Sequence, residues 1–210
     1  MNDNLIITIG RQYASGGHEI ARELSKILGI KMYDKELIDL ASEQSGISKE
    51  VLKAYDEKPT NSFLYSLSLA SHSSLDHSFM SAGTMPLIDR VFQAQAEIIR
   101  KIADKESCIF VGRCANSILK DYNNVLSVFI HTDINRRIDR VCEFSGCTKA
   151  QAADEIRKAD KKRANYYNYF SDLKWGNATM YDLCLDSRIG FDNSAQLIKF
   201  FAEHHNKKFD

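Results

Sequence analysis

Leu5 to Leu28, LIITIGRQYASGGHEIARELSKIL, holds an apolar run, a glycine-rich turn and an amphipathic helix in uninterrupted succession. Leu5, Ile6, Ile7, Thr8 and Ile9 are too uniformly apolar for a strand with one wet face. The run therefore predicts a strand buried on both sides in a parallel sheet, ended by Gly10. Beyond Gly16, Ile20, Ala21, Leu24, Ile27 and Leu28 recur at helical spacing, and Gly29 stands where a C-cap belongs. A helix starts near Gly17. Between strand and helix, Gly10, Arg11, Ala14, Ser15, Gly16, Gly17 and His18 make a turn of small residues at a helix N-terminus. Unpaired amides and the helix macrodipole favour an anion there, and a phosphate is the expected guest. The competing reading is an ordinary glycine-rich connection.

The turn departs from the phosphate-loop pattern G-x-x-x-x-G-K-[ST], whose lysine reaches the outer phosphates and whose hydroxyl reaches magnesium. In register, Gly17 takes the lysine's place, His18 or Glu19 falls near the hydroxyl's, and the loop is one residue longer. Arg11 is the cation best placed to substitute, although a guanidinium forks onto oxygens where an ammonium acts as a point charge.

The remaining chain, within 210 residues, has room for one sizeable α/β domain with a small inserted cap or lid. Lys plus Arg equals Asp plus Glu at 28 each, so no global field draws the protein to nucleic acid or membrane. Any anion affinity must come from local clusters. No apolar stretch approaches a membrane span. Cys108, Cys114, Cys142, Cys147 and Cys184 are odd in number and form no C-x-x-C pair, which predicts thiols in a reducing cytoplasm. Cys108 and Cys184 lie in apolar runs and read as core residues.

Downstream, strand and helix patterns alternate. Ile30 to Tyr33 reads as a second strand, and Asp34 falls at its C-terminal end, either capping the helix through Leu37, Ile38 and Ala41 or facing a ligand. Ser48 caps a further helix. From Asp56 to Met85, serines interleave with apolar residues, and the stretch reads as a mobile cap. Its His72, Asp76 and His77 fit no strong metal template. Leu87 to Ala103 predicts a helix, and Cys108 to Val111 a third strand ended by Gly112 and Arg113. An arginine just beyond a parallel strand points to the ligand edge, or makes a surface ion pair.

Val125 to Ile130 is the fourth strand, and Asp133 caps the helix carrying Arg136, Arg137 and Arg140. Thr148 and Gln151 form a capping box for a long helix. That helix carries Arg157, Lys158, Lys161, Lys162 and Arg163 against one acid, Asp160, so it faces either a polyanion or solvent. Tyr166, Tyr167, Tyr169 and Phe170 follow, either stacking a base or packing. Tyr181 to Leu185, ending at Asp186, is the fifth strand, and Ser194 to Phe201 a closing helix. The expected fold is α/β, a five-stranded parallel sheet with helices on both faces, its strand ends collecting Gly10, Asp34, Arg113, His131 and Asp186.

The succession GRQYASGGHEIA, MYDKELI, IFVGRCANSIL, VFIHTDINRRIDRV, KADKKRANYY and YDLCLDS, spread over roughly residues 5 to 200, resembles the cytidylate kinase-like family, relatives of the nucleoside monophosphate kinases. The resemblance implies a P-loop kinase-like fold in a single domain over 1–210. An acceptor-binding cap would lie at about 34–86 and a lid at about 146–170. It implies ATP with Mg2+ and nucleotide substrates, with Gly10 to Gly17 on the donor phosphates. Arg113 would grip the acceptor's phosphate, Arg157, Lys161 and Arg163 would be lid cations, and Asp34 would be the nearest match to an acceptor-binding aspartate. Asp186 closes the fifth strand on the same edge.

True cytidylate kinases carry the loop lysine and an aspartate just before the Gly-Arg; here these are Gly17 and Val111. The function expected is ATP-dependent phosphoryl transfer to a small acceptor such as CMP or dCMP. A non-catalytic nucleotide-binding module and a kinase of another small metabolite stand as alternatives.

Overall fold

The computed structural model describes residues 4–56 and 85–205; the cap reading and His72, Asp76 and His77 fall outside the described residues. The described strands are β1 (Ile6–Arg11), β2 (Lys31–Tyr33), β3 (Cys108–Val111), β4 (Val125–His131) and β5 (Leu183–Asp186). They form one parallel sheet in the order β2-β3-β1-β4-β5. The described helices are α1 (Gly17–Leu28), α2 (Glu36–Ser45), α3 (Lys49–Tyr55), α4 (Leu87–Ala103), α5 (Ala115–Ile118), α6 (Ile134–Ser145), α7 (Lys149–Phe170) and α8 (Phe191–His205).

Alternation along β1 explains the two helical layers. Ile7 and Ile9 point to the face covered by Ile20 and Leu24 of α1 and Ile198 of α8, whereas Ile6 joins Phe110 under Val91 and Ile99 of α4. Both faces are sealed, which is why the strand reads as an unbroken apolar run. The chain goes first to the β3 side of β1 and then crosses to β4. The crevice beyond the C-terminal end of β1 is therefore the switch point at which such sheets hold ligands.

Two local expectations, at Gly10 and Cys184, are corrected, and two open alternatives, at Asp34 and the aromatic residues of α7, are narrowed. Gly10 does not end β1: Gly10 and Arg11 pair with Phe129 and Ile130 of the longer β4. A Cβ on Gly10 would stand 3.0 Å from the Phe129 ring, so the glycine serves a close aromatic approach and not a turn. Asp34 does not cap α2, whose cap position is Lys35, without a side-chain bond. Cys184 is only half-buried on β5, because edge strands are covered less completely. Tyr166 and Tyr167 are buried, and Phe92 of α4 stacks on Phe170 at 4.1 Å, so these rings weld α7 to α4.

Other signals hold. Ser48, Asp133 and the Thr148–Gln151 box cap α3, α6 and α7, and Gly29 ends α1 in the left-handed region at φ 65. All five cysteines carry thiols. Among the described residues no helix is long and apolar enough to cross a membrane.

Candidate functional site

The loop from Gln12 to Gly16 is held by the strands it leaves. Gln12 N–H donates to Ile130 O at 3.0 Å, the Ser15 hydroxyl lies 2.9 Å from Gln12 O, and Ser187 Oγ donates to Ser15 O at 2.6 Å. Ala14 at φ 59 and Gly16 at φ 88 bend the backbone through left-handed conformations into α1. No side chain caps α1. Its first-turn amides open onto a cavity of about 460 Å³, lined by the loop together with His18, Glu19, Asp34, Lys35, Asp56, Arg113, Arg140 and Arg163.

The missing lysine has a steric cause. A Cβ on Gly17 would sit 2.6 Å from Arg11 Cβ and 3.0 Å from Arg11 Cγ, so the stem of Arg11 fills the space that a side chain at 17 would need. At Gly16 a Cβ would meet the Phe191 ring at 2.3 Å and Arg140 Nη1 at 2.8 Å. Arg140 therefore stands over the helix N-terminus, tied to Glu19 at 2.7 Å and lying 4.7 Å above the Phe191 ring. Arg163 reaches in from α7, donating to Arg11 O at 3.2 Å, with its guanidinium 5.7 Å from the Tyr13 ring.

The long basic helix is latched to the loop by acids. Tyr13 N–H donates to Asp160 at 2.7 Å, the Tyr13 hydroxyl donates to Glu155 at 2.5 Å, and Arg137 pairs with Asp160 at 2.5 Å. Arg137, with a side chain only 9% exposed, has no comparable solvent to fall back on, so the pair is a structural tie. Burial, and then the bond to Glu155, push the Tyr13 phenol up to about 12.

Arg113 leaves β3 at φ 53 with a side chain 3% exposed. Its Nε and Nη2 fork onto Asp56 at 3.0 and 2.9 Å, and Nη1 donates to Asp34 Oδ1 at 3.1 Å. Asp34 Oδ2 lies 3.5 Å from His18 Nε2.

The expected residues separate into two groups. Arg11, Ala14, Ser15, Gly16, Gly17, His18, Asp34, Arg113 and Arg163 line the cavity, and Gly10 lies beside it in the pocket next door. Arg157 and Lys161 are exposed on α7, Arg157 pairing with Asp154 one turn away, and neither lines the cavity. Asp186 closes β5, at the opposite edge of the sheet from β2 and Asp34. Four strand spacings separate the two edges, roughly 19 Å. Its carboxyl is raised by desolvation but lowered further by bonds from Arg188 N–H and Thr132, ending below the ordinary range.

Arg140, Asp56, Asp160 and Arg137 were not expected at the site. Arg137 carried a signal: it lies four residues before the buried Val141 on α6, and an arginine on an apolar stripe needs a buried acid.

Magnesium commonly takes one or two carboxylates plus phosphates and waters. Among the described residues no three metal-ligating side chains cluster, and His18 replaces the loop hydroxyl. The described residues thus offer no built ligand set for the ion, which would be held by the nucleotide's own phosphates and water.

The chain is 23% identical over 185 residues to a cytidylate kinase of Methanothrix thermoacetophila, covering 87% of this chain and 88% of that protein. Among solved structures, an uncharacterised protein from Eubacterium ventriosum superposes with a TM-score of 0.69 at 28% identity over 95% of this chain and 99% of that one. A gluconokinase from Sinorhizobium meliloti shares the fold at TM-score 0.53 and 10% identity, covering 98% of this chain and 97% of that one. The profile of the cytidylate kinase-like family matches residues 6–189, and the chain belongs to that family.

Proposed function

We propose that the protein is a kinase that moves the γ-phosphoryl group of ATP to a small acceptor at the C-terminal edge of the sheet. The observation that carries this reading is the uncapped N-terminus of α1 opening on one cavity with Arg11, Arg113, Arg140 and Arg163. Backbone amides and the helix dipole receive the donor phosphates. Arg140 and Arg163 flank the transferring group, taking the part of the absent lysine. The donor's base has a cleft of about 350 Å³ beside the loop, between Arg136 and Arg140 on one wall and Arg188 and Phe191 on the other. Magnesium bound with the triphosphate would supply further charge neutralisation to the transferring group.

Phosphoryl transfer passes through a loose transition state, so positioning and charge neutralisation supply most of the acceleration. Segment 34–86 would form the acceptor side and 146–170 the lid; the Tyr13–Asp160 bond then couples lid position to loop shape. Family membership favours a nucleoside monophosphate such as CMP or dCMP as acceptor. The carboxylates around Arg113 favour a hydroxyl compound instead. Thiol cysteines agree with a cytoplasmic protein.

Calorimetry with MgATP and a coupled ADP-release assay over both acceptor classes test the proposal. Saturable ATP binding with acceptor-dependent ADP is expected, and Arg163→Ala should lower turnover by about 10³ while weakening ATP far less. Saturable binding with no ADP from any acceptor would instead identify a nucleotide-sensing module.

A further inference from the structure

We infer that the acceptor presents a hydroxyl group, not a phosphate, to the seat formed by Asp34, Arg113 and Asp56, and that Asp34 is the base that takes its proton. The inference rests on the ATP-dependent transfer proposed above and names the class of acceptor.

An arginine receives a phosphate when its N–H fork is free to meet two oxygens. In Arg113 the fork of Nε and Nη2 is already spent on both oxygens of Asp56, and Nη1 on Asp34. Two carboxylates share one guanidinium, so the seat carries net negative charge and repels a phosphate dianion. Arg11, Arg140 and Arg163 line the same cavity on its loop side, Arg140 tied to Glu19 and Arg163 to Arg11 O, where the proposed donor phosphates lie; the other described cations reach the seat only weakly. Lys162 reaches only the backbone oxygen of Asp56, at 3.5 Å, His18 lies 3.5 Å from Asp34, and Lys35 lines the wider cavity.

Arg113, together with Arg11 and Arg163, borders a chamber of about 30 Å³ whose other walls include Thr8, Asn116, Tyr167, Trp175 and Tyr181. That is room for roughly one or two water-sized groups and too little for a phosphate. The Thr8 hydroxyl, in a residue 2% exposed, has no hydrogen-bond partner among the described residues. A buried hydroxyl in that position calls for a hydroxyl or water opposite it.

Asp34 has the geometry of a base. Oδ1 is held by Arg113, which orients the carboxylate, while Oδ2 faces the end of the phosphate loop beside His18. In the step, the acceptor oxygen forms a bond to the γ-phosphorus as its proton passes to Asp34 Oδ2. The bond from the γ-phosphorus to the β,γ-bridging oxygen breaks, its electron pair leaving on ADP. A phosphate acceptor would need no such base, because its oxygen is already anionic.

The test follows ADP release from MgATP with two sets of acceptors: ribose, glucose, myo-inositol, gluconate and shikimate in one, CMP, dCMP, UMP and AMP in the other. Acceptor-dependent ADP is expected from at least one member of the first set and none of the second. Asp34→Asn should lower that rate by about 10² to 10⁴, with ATP affinity within about threefold of wild type. ADP formed with any monophosphate, silence across the hydroxyl set, or wild-type rates in Asp34→Asn would each overturn the inference. If Asp34→Asn loses its cooperative thermal transition, or if wild-type protein fails to bind ATP, inorganic phosphate titrated by calorimetry decides alone. Asp56→Asn, which releases the Arg113 fork, should bind phosphate at least about tenfold tighter than wild type, and equal affinities would overturn the proposal. Failure of wild-type ATP binding itself counts against the donor reading, and the phosphate titration against this one.

Discussion

Restoring the lysine of the phosphate-loop pattern should harm this protein. In Gly17→Lys the new Cβ lands 2.6 Å from Arg11 Cβ, an atom fixed to the backbone of β1, so β1 or the start of α1 must move. Overpacking of this kind costs about 1–3 kcal/mol. Replacing glycine in the first turn of a helix returns about 0.5 kcal/mol of propensity, leaving a net loss of roughly 0.5–2.5 kcal/mol. For a chain of this size each kcal/mol is worth about 2–4 °C, so thermal unfolding followed by circular dichroism should shift down by about 1–10 °C. A double-mutant cycle isolates the cause. Arg11→Ala keeps its Cβ and should not rescue Gly17→Lys; Arg11→Gly removes it and should. ATP affinity by calorimetry should fall in Gly17→Lys because the amides at the start of α1 are displaced. A Gly17→Lys protein with an unchanged midpoint and tighter ATP would refute the reasoning, since it would mean that the lysine was absent for want of need and not for want of space.

The remaining predictions concern the latch, its titration and the outer face of α7. Arg137→Ala strands Asp160 against the loop and should cost about 3 kcal/mol, lowering the unfolding midpoint by about 6–12 °C. The Tyr13 phenol is held near 12 in the folded protein, above its ordinary 10. The stability it contributes is therefore complete below pH 10 and is lost as pH rises from about 10 to 12, so urea midpoints of Tyr13→Phe should fall less steeply than wild type across that window. Arg157→Ala breaks only an exposed pair with Asp154, and both its midpoint and its ADP release should stay near wild type, within about 0.5 kcal/mol.

The features legible in the sequence are those written in local periodicity. An apolar run, a glycine turn and a helical stripe specify β1, the loop and α1, and the strand ends expected together share one side of the sheet, because a parallel sheet presents all its C-terminal ends together. Contacts set by docking were not legible. Whether a cation on α7 meets the loop or the solvent depends on a rotation of the helix that its many charges do not encode; Arg163 turned inward and Arg157 outward, six residues apart on one helix. Asp186 and Asp34 both end strands, but strand order, which places them on opposite edges, is absent from the sequence.

The acids show how the basic helix can serve a neutral protein. Asp160, alone among the cations from Arg157 to Arg163, is the residue that meets both the loop amide of Tyr13 and Arg137. A like-charged helix laid against three other arginines would be pushed off the site. An acid bound to both partners draws it back and fixes its rotation, leaving Arg163 to point at the loop. On this view the minority charge in the segment sets the geometry, and the majority charge is mostly solvated. Asp34 and Asp56 act in the same way on Arg113, so at both ends of the cavity a carboxylate sets how a guanidinium is oriented.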